Sequence, residues 1–131
     1  MSMLQVIQPK TVHDTVQYSY SHAVRMGDLI FVSGQVGRNQ NGDLVGPGDV
    51  RAQTEQAFKN LEAILEAAGS GLHKVGKVTV LITKLEYRAV VQEVRARVFK
   101  EAGHLPASTL AVVDSLALPE WLVEIEAVAV A

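Results

Sequence analysis

The chain contains no cysteine. That excludes a disulfide framework, a thiolate metal site and a cysteine nucleophile. A basic excess is also missing: 12 Lys and Arg stand against 14 Asp and Glu, and aromatics make up only 5%. Neither a phosphate-tracking groove nor a base-stacking platform is indicated, so no nucleic-acid partner is expected. No apolar run reaches the length of a bilayer, and residues 1–10 lack a signal-peptide pattern. No membrane partner is therefore expected, and a cytoplasmic location is. The glycines form no nucleotide loop. Gly34 to Gly48 lacks both the Lys-Ser/Thr ending of a P-loop and the spacing of a dinucleotide fingerprint, and Gly69-Ser70-Gly71 lies between a helix and a strand in the wrong order.

Metal and triad chemistry find no footing either. His13, His22, His73 and His104 show no ligand spacing, so no metal site is expected. His22, two residues after Tyr20, is the histidine to look for near a site. Ser33 and Ser108 belong to no Ser/His/Asp pattern.

What is present is an apolar chain, 48% hydrophobic over 131 residues, enough for one domain with a real core. Leu4–Ile7 reads as a short edge strand closed by Pro9, and Tyr18–Met26 reads as extended. Gly27-Asp28 turns the chain into a strand over Leu29–Gly34, apolar on both faces and so expected to be covered on both. Asp49 is placed to cap a helix over 50–68, whose stripe is Ala57, Phe58, Leu61, Ile64, Leu65 and Ala68, with Gly69 as its stop. Val75–Thr83 alternates as a strand. A second helix over 86–102 presents Tyr87, Val90, Val91, Val94 and Val98 before Gly103. Ser108–Val113 is extended, and Pro119 marks a bend before a last strand, Leu122–Val130.

That last strand is the odd one. One face, Val123, Ile125, Ala127 and Ala129, is wholly apolar and reads as core. The other sets Glu124 and Glu126 among Leu122, Val128 and Val130. A carboxylate on a partly desolvated face tends to a raised pKa and can exchange protons. The element order predicts a single α+β domain over residues 1–131, a mixed sheet with both helices on one face. The other apolar face then needs a cover, and a second copy of the chain is the economical supplier.

Several blocks together resemble one family. They are Tyr20–Gln35 (YSHAVRMGDLIFVSGQ), Gln53–Leu61 (QTEQAFKNL), Ala67-Ala68-Gly69, Lys77-Val78-Thr79-Val80, Pro106-Ala107-Ser108-Thr109 and Val123–Ala129 (VEIEAVA). From about residue 18 onward the chain resembles the Rid (YjgF-like, reactive intermediate deaminase) proteins, some of which carry the names endoribonuclease L-PSP or translation inhibitor. The resemblance implies a chorismate-mutase-like fold and a homotrimer with sheets inside, with a small-molecule ligand in each inter-subunit cleft. It implies hydrolysis of 2-imino or 2-enamino acids to 2-keto acids and ammonia without a cofactor. It places Tyr20, Ser33, Gly34, Gln35, Ala107, Ser108 and Thr109 at the ligand and makes Glu124 the catalytic group, with Glu126 structural.

One departure is plain. The deaminase branch reads Pro-Ala-Arg-Ser/Thr, its Arg holding the substrate carboxylate, whereas here Pro106-Ala107 runs directly into Ser108-Thr109. A hydroxyl is a poor replacement for a bidentate guanidinium. Ordinary 2-imino-acid deamination is therefore not expected to carry over. Arg25, Arg51, Arg88, Arg95 and Arg97 read as solvated, one of them available to enter a neighbour's cleft. Trp121 reads as a packing anchor. Two functions remain in view: a hydrolase for small reactive imines, enamines or related nitrogen compounds, or a trimeric module that binds a metabolite without turnover.

Overall fold

The structure is a computed structural model that describes residues 3–131. Six strands form one mixed sheet and two helices pack on it: β1 (Leu4–Ile7), β2 (Ala23–Met26), β3 (Leu29–Gln35), α1 (Val50–Ala67), β4 (Val75–Ile82), α2 (Arg88–Ala102), β5 (Ala107–Val112) and β6 (Val123–Val130). The spatial order is β1-β2-β3-β6-β4-β5. β3 and β4 both run antiparallel to β6, and β4 runs parallel to β5. Two successive crossovers therefore move the same way across the sheet, and right-handed connections put α1 and α2 on one face. β6 comes last in the chain yet fills the gap between β3 and β4, which makes the carboxylate-bearing strand a central one.

The core forms on the helix side. Val123, Ile125, Ala127 and Ala129 of β6 are buried with Val78, Val80 and Ile82 of β4 and Ile30 and Val32 of β3. Ala57, Phe58, Leu61, Ile64 and Leu65 of α1 close over them. Asp49 accepts a hydrogen bond from the Ala52 amide at 3.1 Å, as a helix cap does. α2 differs from expectation. It begins at Arg88 after a 3₁₀ turn over Leu85–Tyr87, and its largest buried side chain is Phe99, set edge-on to Phe58 at 5.8 Å, alongside Val91 and Val94. Val90 and Val98 are only half-buried.

One further reading needs correction. Tyr18–Met26 is not one extended run: Val16–Tyr18 is a 3₁₀ turn, Ser19 takes a left-handed φ of 68°, and β2 starts only at Ala23. The Thr15 hydroxyl closes this turn by donating to the Tyr20 carbonyl at 2.8 Å. The second face of β3 is not covered within the chain, since Leu29 and Phe31 are exposed. The register aligns Leu4, Met26, Leu29 and Val130 in one row across four strands, and all four are exposed. No helix among the described residues is long and apolar enough to cross a membrane.

Candidate active site

The site begins with a flaw in the β3–β6 ladder. Val32 pairs with Ala127 and Gln35 with Ile125, so Ser33 and Gly34 together oppose the single residue Glu126. Such a bulge bends its strand and re-aims the side chains beside it. Ser33 is held from the other side, its amide donating to the His22 carbonyl at 2.8 Å and its hydroxyl to the Ser21 carbonyl at 2.7 Å. Gly34 is then left facing β6. A Cβ added there would stand 2.5 Å from Cδ of Glu124 and 2.7 Å from its Oε2. The bare glycine is what lets the Glu124 side chain lie across the strand.

Glu124 is half-buried, paired with Leu81 on its other side, and its carboxyl has no hydrogen-bond partner among the described residues. Burial pushes its pKa above the ordinary 4.5, and the neighbouring charge of Glu126 adds to the shift. The carboxyl opens into a cleft of about 690 Å³ whose walls include Tyr20, Ser33, Gly34, Trp121 and Glu126. Burial also raises the Tyr20 phenol, with Arg38 opposing that shift and Glu124 reinforcing it.

Four of the expected residues, Tyr20, Ser33, Gly34 and Glu124, thus meet at one cleft. Gln35 lies behind its wall, 1% exposed, with its amide donating to the Ser33 carbonyl at 3.0 Å. Ala107, Ser108 and Thr109 lie exposed on the edge strand β5, paired only with β4, and do not line the cleft within one chain. His22 is not in the cleft. It is fully buried, its Nε2 donating to the His13 carbonyl at 2.6 Å, which leaves Nδ1 to accept from the Gln35 amide at 3.1 Å. Burial holds His22 below the usual histidine value and brings His13 down to about 4, with the His22 charge adding to the latter. These rings support the wall as neutral groups. Trp121 is half-buried and lines the cleft as well as closing the bend before β6.

Arg38 is the residue that sequence reading passed over. It leaves β3 on a loop pinned to α1, where the Asn60 amide donates to the carbonyls of Val36 and Arg38 at 3.2 and 2.9 Å. Gly37 allows the approach, because a Cβ there would sit 2.8 Å from Cα of Gln53. Buried Gln53 in turn accepts from the Leu122 amide at 2.9 Å and donates to the carbonyls of Gly46 and Glu120. One glutamine therefore ties both loops that frame the cleft. The only available signal for Arg38 was its place within a turn-rich segment directly after Ser33-Gly34-Gln35. Among the described residues no group of three or more His, Asp or Glu could hold a metal ion.

Comparison with known proteins agrees with this architecture. The family model described as Endoribonuclease L-PSP matches residues 12–131. A 2-iminobutanoate/2-iminopropanoate deaminase of Mus musculus is 41% identical over 112 residues, covering 85% of this chain and 80% of that protein. A RutC family protein of Pyrococcus horikoshii is 38% identical over 110 residues, 84% of this chain and 85% of its own length. The solved structure of a Rid family protein from Yersinia pestis, described as of unknown function, superposes with a TM-score of 0.90 at 34% identity, covering 98% of this chain and 99% of that one.

Proposed function

The chain belongs to the Endoribonuclease L-PSP family, which takes in the Rid proteins, and from that premise we propose that it hydrolyses small reactive imines, enamines or related nitrogen compounds, with Glu124 exchanging the protons. The observation that carries this reading is the Glu124 carboxyl itself: half-buried, raised in pKa, unpaired among the described residues and open to a cleft. A carboxyl so placed can give its proton to the imine nitrogen as water adds to the C=N carbon. The carboxylate then takes a proton from the added oxygen. The same group next protonates the nitrogen of the carbinolamine and recovers the hydroxyl proton as the C–N bond breaks, releasing ammonia or an amine and leaving a carbonyl. Every proton that Glu124 gives it takes back, so no cofactor is required.

The deaminase name of the mouse relative supports the reaction class. Ordinary 2-imino acids are nevertheless expected to react slowly here, because Ala107-Ser108 brings no guanidinium. We further propose a homotrimer joined through the open sheet face, so that a neighbour's β5 edge and its Ala107–Thr109 complete each cleft. The uncovered apolar row from Leu4 to Val130 supports that assembly.

The test generates imines with oxidases acting on amino acids and on neutral amines, and follows carbonyl release. Wild-type protein should accelerate at least one class. Glu124→Gln should lose about 10²–10⁴-fold while keeping fold and assembly, and Glu126→Gln should lose far less. Absence of acceleration for every imine would leave a metabolite-binding module as the function. Equal rates for both variants and wild type would remove Glu124 from the chemistry.

A further inference from the structure

The cleft around Glu124 is acidic and apolar at once. Glu120 and Glu126 line it beside Glu124, and Arg38 is the one Lys or Arg among its lining residues. Arg38 is partly engaged already. Its Nε donates to the Gly42 carbonyl at 3.1 Å, and its guanidinium carbon stands 5.5 Å from the centre of the Tyr18 ring. Even with Glu124 protonated, two carboxylates stand against this one guanidinium. A surplus of one sign in a cleft draws ligands of the opposite sign and disfavours those of its own.

Most of the remaining wall is apolar or aromatic, supplied by Leu44, Ala117, Leu118, Trp121 and the two tyrosines Tyr18 and Tyr20. This wall is built rather than loose. The Trp121 amide donates to the Leu118 carbonyl at 3.1 Å, closing a turn. Gln53, with no exposure, donates to the Glu120 carbonyl at 3.3 Å and accepts from the Leu122 amide at 2.9 Å, so Trp121 is pinned on both sides. The same glutamine donates to the Gly46 carbonyl at 3.2 Å, two residues beyond Leu44 on the other loop. Leu118 nonetheless keeps 44% of its surface open, and Trp121 is only half-buried. Held apolar surface left open in a cleft of about 690 Å³ is surface for a ligand to cover. A 2-imino acid with a short side chain offers nothing to that wall, and its carboxylate meets the wrong charge.

Building on the hydrolase reading above, we propose that the substrates are iminium ions of amines that carry no carboxylate and bear a bulky apolar group, such as a phenyl ring, which seats against Leu118 and Trp121. The C=NH₂⁺ end lies toward the carboxylates. Water adds to its carbon, the C–N bond breaks, and an aldehyde or ketone leaves with ammonium. Leu118 and Trp121 are specificity-determining residues, and Glu120 contributes to the preference for a cation.

Amidinium ions are stable mimics of an iminium, and they test this by titration calorimetry on the full chain. The probes are benzamidinium, acetamidinium, which lacks the ring, and benzoate, which reverses the charge. Wild type should bind benzamidinium at least about tenfold tighter than either of the others. Trp121→Ala and Leu118→Ala should each cut the advantage of benzamidinium over acetamidinium. Glu120→Gln should narrow its advantage over benzoate. Circular dichroism checks folding, and Leu118→Ala carries the test should Trp121→Ala not fold. The proposal is overturned if benzamidinium does not bind, if acetamidinium or benzoate binds as tightly, or if the ring's advantage survives in every folded variant. Failure of the two readings is separable. Ring- and charge-dependent binding without turnover of any imine removes the hydrolase and leaves the specificity of the cleft standing. Glu124-dependent turnover without those preferences removes only the present proposal.

Discussion

The two faces of β6 share one backbone and answer to different demands. Val123, Ile125, Ala127 and Ala129 point under the helices and are at most 4% exposed, while Val130 on the opposite face is 48% exposed beside Phe31 and Leu29 at 42% or slightly less. Apolar residues alternate with apolar residues along much of the strand, so hydrophobicity alone does not separate the faces. The difference lies in what covers them. The core face is closed by α1 and α2 from the same chain, whereas the other is left open, with Glu124 and Glu126 at one end and an aliphatic row at the other. One face stabilises the monomer, and the other carries the candidate cleft and an exposed apolar row.

The largest expected effect on this contrast comes from substituting each face in turn. Ile125→Ala opens a cavity where the strand is fully buried and should cost about 2–5 kcal/mol in chemical denaturation. Phe31→Asp, on the open face, should leave the monomer folded but shift the assembly to monomer in light scattering. A trimer that survives Phe31→Asp would show that this face is not the subunit interface.

Next in size is Gly34→Ala. Gly34 has no positive φ, so alanine meets no backbone strain, and the methyl group collides with the movable end of Glu124 rather than with backbone. The carboxyl must swing away. Turnover should fall by about 10²-fold, toward the level of Glu124→Gln, with little change in thermal midpoint. An unaltered rate would mean that the position of Glu124 against Gly34 is irrelevant to the chemistry.

The smallest effect has the opposite sign. The folded-state pKa of Glu124 lies above its unfolded value. Between those two values the folded chain binds more protons than the unfolded one, so stability falls as pH rises through that window. Above it, the ionised carboxylate is a net cost that glutamine does not carry. Glu124→Gln should therefore be slightly more stable than wild type at pH 7–8, by no more than about 1 kcal/mol, with the advantage vanishing below about pH 4.5. A variant less stable than wild type at neutral pH would mean that the carboxylate serves the fold, contrary to the proton-exchange role.

Much of this molecule was legible in residue order because local rules carry it. Asp49 and Gly69 bracket α1, Gly103 stops α2 in the left-handed region, and period-two alternation marks β4 and β6. The misreadings share a cause. Nothing local distinguishes Ser19, whose left-handed φ ends the supposed extended run, and Phe99 is drawn inward by Phe58 from another helix. His22 seemed close to a site because Tyr20 was close in sequence, yet alternation and a hydrogen bond to the His13 carbonyl take it into the interior.

The sequence by itself determined the elements, the buried face of β6 and the presence of a carboxylate pair on the other, since each follows from periodicity within a single segment. Only the tertiary structure decided which groups meet that pair. The meeting depends on β6 entering between β3 and β4, on a bulge that sets Gly34 against Glu124, and on Gln53 and Asn60 holding the loops around the cleft. Arg38 and Glu124 are separated by most of the chain, and no local pattern links them. Their place in one cleft is a property of the tertiary fold, in which long-range strand pairing brings distant residues together.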